Sequence, residues 1–310
     1  MMQDFLLNWL ASIPVYATPI LLASLGLIVT ARSGVLSLCA EGIMAVAAMV
    51  GAVAVLSGLP LWLALLVAVL AGTLISLVFG VATIFFKTDQ VLTGLLIAAL
   101  GLGVSGVVGQ RYTHQPLPGF VRIDFGPLSD VPVIGRLIFG QDVLVYLAAA
   151  LVIAVWWGIH KTRFGLRIRA VGEDPYTADT SGVNVSRYRL AAVLIGGALC
   201  ALGGAYLSMA AGQVWVEHMV GGRGWVAIAL AIFARWRPFP ALIGSIIFGG
   251  GEALIPRVQA AGIDFPAYVL LMMPYLLTLA VLILPYLMFK NWKDEAPAGL
   301  MKNYVREDRH

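Results

Sequence analysis

An all-α bundle of membrane-crossing helices, about nine of them (eight to ten), is the fold class this sequence predicts. Three observations predict it. Hydrophobic residues make up 60% of the 310-residue chain, charged residues only 12%, and mean hydropathy is +0.92. Soluble domains are roughly 45–50% apolar and about 25% charged, which argues against a water-soluble globule. The apolar runs recur along the whole chain with short polar breaks, and most match the roughly 17–25 residues a helix needs to cross hydrocarbon. The basic residues, finally, divide unevenly between the two sides that alternating crossings define.

Cut at charges and turn signals, the runs fall at about 10–29, 35–56, 60–83, 90–109, 142–159, 190–211, 224–234, 240–256 and 266–289. The stretch before the first carries Asp4 and no basic residue, so it lacks the positive region of a cleaved signal peptide and the first run reads as a retained span. The second holds Glu41, the most unusual charge within a span. The fourth and sixth carry Gly94, Gly101, Gly103 and Gly106, and Gly196, Gly197, Gly203 and Gly204. In lipid, helices associate by close packing, which such small residues permit. The seventh run is short, as a tilted or broken helix buried among its neighbours would be. The eighth contains Gly249-Gly250-Gly251 followed by Glu252, where a local break beside a polar residue is one reading and a structural role the other.

With the loop at 160–189 placed in the cytoplasm, fifteen of the twenty Lys and Arg residues lie on that side and five opposite. This positive-inside bias sets the N-terminus outside and the C-terminus inside. The body is then a single transmembrane domain, 1–290, with a cytoplasmic tail at 291–310. The external loop 110–141 contains Pro116, Pro118, Pro127 and Pro132 and reads as a packed lid or short re-entrant piece. In the internal loop 160–189, the stretch 174–181 after a break at Gly172 predicts a short helix, with Pro175 in its first turn and Gly182 as its stop.

Several function classes find no support. Gly101-x-Gly103-x-x-Gly106 lies inside an apolar span without the strand a dinucleotide site requires, so it reads as helix packing, and no Walker motif occurs. The net charge of +4 serves topology and implies no nucleic acid. Cys39 and Cys200 sit in apolar segments as small packing residues. None of the four histidines, His114, His160, His218 and His310, lies deep in a span, no serine–histidine pattern stands out, and no cluster has metal-ligand spacing. No catalytic residue, cofactor or metal is therefore expected. Glu217 and His218 fall in an external turn, open to solvation or to docking of an external partner. Glu41 fits three roles: a polar group near a translocation pathway, a buried strut holding a broken helix, or a charge reaching the cytoplasmic interface. The tryptophans cluster at span ends, where interfacial anchoring explains most of them. Gly42 and Trp225 join Glu41 and Glu252 as candidate pathway or helix-break positions.

Three stretches carry a resemblance: 32–38 (RSGVLSL) continuing through Glu41-Gly42-Ile43-Met44; 165–175 (GLRIRAVGEDP) with Ala178-Asp179 and Gly182-Val183-Asn184-Val185; and 222–229 (GRGWVAIA). The external pieces at 127–129 and 132–135 fit as well. The chain resembles permease subunits of bacterial ABC importers in the ribose, nucleoside and branched-chain amino-acid superfamily, and most closely the nucleoside-type permeases that work with Bmp-like lipoproteins. The resemblance implies a type II-like importer permease fold in the bacterial plasma membrane. It implies that Gly172, Glu173, Asp174, Pro175, Ala178, Asp179 and Gly182 form a coupling helix and its flanks, docking on a cytoplasmic ATP-binding cassette ATPase. It further implies a second, often nonidentical, permease subunit, an external substrate-binding lipoprotein, and import of nucleosides or related purine and pyrimidine compounds. Simple sugars and branched-chain amino acids are the alternative substrates, and an ion-coupled secondary transporter or a nontransporting scaffold the alternatives of different class. Asp174 stands where the family often has Asn, and Ala234 where it often has Gly.

Overall fold

The computed structural model describes residues 2–123, 126, 139–260, 272, 276, 279, 283 and 296–305. Regular structure among the described residues is helical: α1 (Met2–Arg32), α2 (Ala40–Leu56), α3 (Leu61–Gly80), α4 (Gln90–Gly109), α5 (Val143–Lys161), α6 (Arg163–Glu173), α7 (Pro175–Thr180), α8 (Val185–Tyr206), α9 (Arg223–Phe233) and α10 (Pro238–Ala260). Single π-helical turns, Val81–Phe85 and Leu207–Ala211, extend α3 and α8. Six of these runs are long and apolar enough to cross a membrane, and α2 and α9 are shorter apolar helices. The expected ninth run, 266–289, lies outside the described residues except for Met272, Leu276, Leu279 and Ile283, which are helical and exposed.

α1 and α8 form the centre. Their apolar windows are 78% and 72% buried, against 28% for α3, α4 and α5. Backbones meet where these two cross: a Cβ on Gly26 would sit 2.3 Å from the Gly196 carbonyl oxygen, and one on Gly196 would sit 2.1 Å from Thr30 Oγ1. Gly197, Gly203 and Gly204 likewise press on Ser76, Pro19 and Met44, so all four glycines of the sixth run are contact surfaces. In α4 only part of the expectation holds: Gly94 and Gly101 abut Leu38 and Gly42, while Gly103 faces open space. The outer stripe of α3 (Leu66, Leu70, Leu74, Val78) is exposed at helical spacing, as a face toward lipid or a partner subunit requires.

Three expectations need correction. The second run is not helical from residue 35: residues 33–39 are a turn and a non-helical strip, largely buried, and α2 begins at Ala40. Gly34 at φ +86° ends α1, and the Leu36 N–H bonds to Gln90 Oε1 at 2.8 Å instead of to a helical carbonyl. The eighth run does not break at its three glycines; α10 passes through them unbroken. Gly249 lets it close on α1, since a Cβ there would lie 2.6 Å from Ala17 N. In the internal loop the chain does not break at Gly172 but at Asp174, because 163–173 forms α6, an amphipathic helix folded sharply back on α5. Gly172 is packed inside that helix, where a Cβ would lie 2.2 Å from the Arg32 carbonyl oxygen.

The tail is not separate from the bundle. Residues 296–305 lie along the end of the bundle that carries α6 and α7. The external pieces at 127–129 and 132–135 lie outside the described residues.

Candidate functional site

Two polar arrangements stand out, one at half height in the bundle and one at its α7 end. The first begins with Glu41, in the first turn of α2 and 4% exposed. Its Oε1 accepts the Gly222 N–H at 2.8 Å and its Oε2 the Gly224 N–H at 2.7 Å. Gly222, at φ +84°, is the N-cap of α9 and offers no side chain to satisfy that helix's orphan donors. The Glu41 carboxylate therefore supplies the cap, where the partial positive charge of a helix N-terminus favours an anion. Arg32 serves the other end, donating Nε to the Trp236 carbonyl at 3.0 Å. α9 is 11 residues, only about 16 Å long; its start takes its cap from Glu41, while its last carbonyls accept from the N–H groups of residues 234–236, in the turn that Arg32 holds. Gly42 and Gly101 touch backbone to backbone near the middle of α4, which places Glu41 at half height and the starts of α2 and α9 together there. Of the three roles open for Glu41, the geometry is that of a strut at a helix interruption; interfacial exposure is absent.

Beside this junction lies a cavity of about 500 Å³ lined by Tyr16, His218, Arg223, Glu252 and Gln259 among others. Arg223 Nη2 is 2.9 Å and Nε 3.0 Å from Glu252 Oε2, and Arg223 Nη1 donates to the carbonyls of Met219 and Val220. The pair is largely buried, with side chains 21% and 11% exposed. Pro256 and Gln259 belong to the end of α10 away from Arg32, so the cavity occupies the half of the bundle opposite α7. Glu252 thus joins the first arrangement without a helix break, while Trp225, on α9, is 38% exposed and lines no part of the cavity. Glu217 and His218 pair with each other at 3.6 Å on the surface. Arg223 escaped notice as a site residue; its one visible signal was a lone cation between Gly222 and Gly224 at the head of a short apolar run.

At the opposite end, Asp174 is the N-cap of α7 and ends α6. Its Oδ1 accepts the N–H groups of Tyr176 and Thr177 at 3.0 and 3.3 Å, and its Oδ2 accepts the Thr177 hydroxyl at 2.5 Å. That hydroxyl first, and the Thr177 N–H next, hold the Asp174 carboxyl below the usual carboxylate range. Pro175 fills the first turn, Ala178 packs on Val171 and Val185, and Gly182 at φ +81° turns the chain away. Glu173 caps nothing in α7; its carboxylate accepts the Ala298 N–H of the tail at 3.3 Å. The other face of α7, with Tyr176, Thr177 and Thr180, is exposed. The seven residues singled out there fall within 172–182: Gly172, Pro175 and Ala178 are buried, Asp179 is half-buried, and Glu173, Asp174 and Gly182 are exposed.

The family profile described as "Branched-chain amino acid transport system / permease component" matches residues 9–284. A Haloferax volcanii protein provisionally named glucose ABC transporter permease protein TsgC13 is 36% identical, over 94% of this chain and 95% of its own. The guanosine ABC transporter permease protein NupQ of Bacillus subtilis is 35% identical over 86% and 88%. The nucleoside ABC transporter permease protein NupC of Lactococcus lactis is 34% identical over 88% and 90%. No solved structure matches the chain.

Proposed function

The chain belongs to the family of permease components of branched-chain amino acid transport systems, and from that premise we propose that it passes nucleosides inward through the half-height junction. It is the multi-pass membrane subunit of an ABC transporter and not itself an enzyme; ATP hydrolysis lies in a separate subunit, and a substrate-binding partner completes the system. The finer assignments are our own: a nonidentical second permease, an external lipoprotein that delivers substrate, a tail in the cytoplasm and a cavity opening outside. The Lys and Arg distribution supports that orientation.

One observation carries the substrate reading. The cavity's charges neutralise each other in the Arg223–Glu252 pair, leaving Tyr16, His218 and Gln259 as its remaining polar side chains among the described residues. Such a site suits a neutral ligand rich in hydroxyl and ring-nitrogen groups, which a few placed dipoles orient. Nucleosides fit that description, and the names of the Bacillus and Lactococcus relatives agree with it. The Haloferax relative's name favours a hexose by the same chemistry. In this proposal α7, with Gly172, Glu173, Asp174, Pro175, Ala178, Asp179 and Gly182, receives force from the ATPase, and Glu41, Gly42 and the start of α9 form the gate.

Reconstitution of the chain with its ATPase, second permease and binding protein in proteoliposomes tests the reading. Radiolabelled guanosine should accumulate only with ATP, with excess unlabelled nucleosides competing and glucose not. Competition by glucose alone would replace the substrate assignment. Accumulation that ignores ATP removal and collapses with the proton or sodium gradient would overturn the class.

A further inference from the structure

The tail touches α6, α7, α8 and the α1–α2 and α3–α4 turns at the α7 end of the bundle. Gly299 N–H donates to the Gly172 carbonyl of α6 at 2.8 Å, and Met301 N–H to the Gly34 carbonyl between α1 and α2 at 3.1 Å. Asn303 Nδ2 donates to the Lys87 carbonyl between α3 and α4 at 2.9 Å, and Arg189 Nη1 of α8 to the Lys302 carbonyl at 3.0 Å. The Tyr304 ring meets the Tyr176 ring of α7 edge to face, centroids 5.2 Å apart. Contact is close enough that a Cβ on Gly299 would lie 2.7 Å from the Gly172 carbonyl oxygen.

Two further facts give these bonds weight. Arg189 is 3% exposed, and its Nε and Nη2 have no acceptor among the described residues, so the tail carbonyl is the acceptor it uses. Gly34, at φ +86°, lies in the turn that opens the non-helical strip leading directly to Glu41 and the gate junction. α7 itself is six residues long and rests on a small apolar cluster, Val171, Ala178 and Val185, with Tyr304 packed against its edge.

We infer that residues 296–305 are a strut that carries displacement of α7 to the α1–α2 and α3–α4 turns, with Tyr304 and Asn303 as positioning residues for transport. The inference rests on the reading of α7 as the coupling helix. A push on Tyr176 bears on Tyr304, and the bonds of 301 and 303 pass it to Gly34 and Lys87, two points that α7 does not itself reach. Packed contacts of this kind transmit small shifts because they are not freely compressible.

The test uses the whole reconstituted transporter, with guanosine import and ATP hydrolysis measured in parallel and the ATPase retained per permease determined on the purified complex. In Tyr304→Ala and Asn303→Ala, guanosine imported per ATP should fall at least about fivefold, the low end of couplings between sites, while the ATPase stays bound and hydrolysis continues. Tyr304→Phe, which keeps the ring contact, should restore the ratio. If the ratio holds in both alanine variants while Asp174→Ala lowers it, the strut is wrong and α7 keeps its role. If Asp174→Ala and Ala178→Trp also leave the ratio unchanged, the α7 reading fails and the strut with it. Loss of bound ATPase in step with import would reduce the tail to a structural brace and overturn the inference.

Discussion

Replacing Glu41 probes the half-height junction most directly. Its carboxylate takes two backbone N–H groups, from Gly222 and Gly224, in a pocket where it is 4% exposed. Glu41→Ala strips both donors of their acceptor. A buried N–H left unpaired costs about 1–3 kcal/mol, so the pair costs about 2–6 kcal/mol. Set against a total stability of about 5–15 kcal/mol for ordinary domains, that loss threatens expression. Glu41→Gln is the more informative change. One amide oxygen still accepts, but the NH₂ group faces the second donor, leaving about 1–3 kcal/mol unrecovered. The cost is local to the start of α9, so amide exchange there reports it. Hydrogen–deuterium exchange on the transporter in lipid nanodiscs should show Gly222 and Gly224 exchanging about 5- to 150-fold faster in Glu41→Gln, since each 1.4 kcal/mol is a factor of ten. The middle of α8 should be unchanged. Wild-type exchange at 222–224 in a folded Glu41→Gln or Glu41→Ala protein would refute the capping role and, with it, the gate built on it.

Three further outcomes follow from the same geometry. Removing one member of the Arg223–Glu252 pair leaves an uncompensated charge that is mostly buried, costing about 3–5 kcal/mol in full burial and less here. The double change Arg223→Met with Glu252→Leu should therefore melt above Glu252→Leu alone by differential scanning fluorimetry, and equal melting would show the pair to be uncoupled. Gly172→Ala drives a methyl group to 2.2 Å from the Arg32 carbonyl oxygen and should cost at least about 1–3 kcal/mol by overpacking; a wild-type melting temperature would contradict the contact. Asp174 has its carboxyl held low in the folded chain, so its contribution is complete above the unfolded pKa and is lost as pH falls through the lowered one. Exchange protection of the Tyr176 and Thr177 amides, corrected for intrinsic rates, should stay flat down to the usual carboxylate range and fall below it. In Asp174→Asn, which caps without titrating, that acid limb should vanish, and its persistence would assign the limb to another group.

How much was legible in the sequence depends on how local the cause was. The short helix at α7 was readable because its signals are neighbours in the chain, Pro175 in the first turn and Gly182 as stop; that Asp174 is its cap and not its first residue came from the structure. The amphipathic α6 ahead of it is not legible in the same way, because its buried positions, Ile168 and Val171 with two glycines, give only a short apolar period among basic residues. Gly172 read as a break, and the run 249–251 admitted one beside the structural reading, because glycine weakens an isolated helix. Within the bundle the same missing Cβ lets Gly172 reach Arg32 and Gly249 reach Ala17, and close packing outweighs the propensity cost.

Composition and hydropathy by themselves determined that the chain is a helical membrane protein, because backbone groups in hydrocarbon must find partners within their own helix. Three motif stretches determined its family. Only the tertiary structure decided where the charges of the interior are satisfied. Glu41 meets a helix start 181 residues further on, Arg223 finds Glu252, and Gly299, Met301 and Asn303 return to Gly172, Gly34 and Lys87. Such pairings carry no spacing rule, since each is fixed by how neighbouring helices cross and how closely glycine lets them approach.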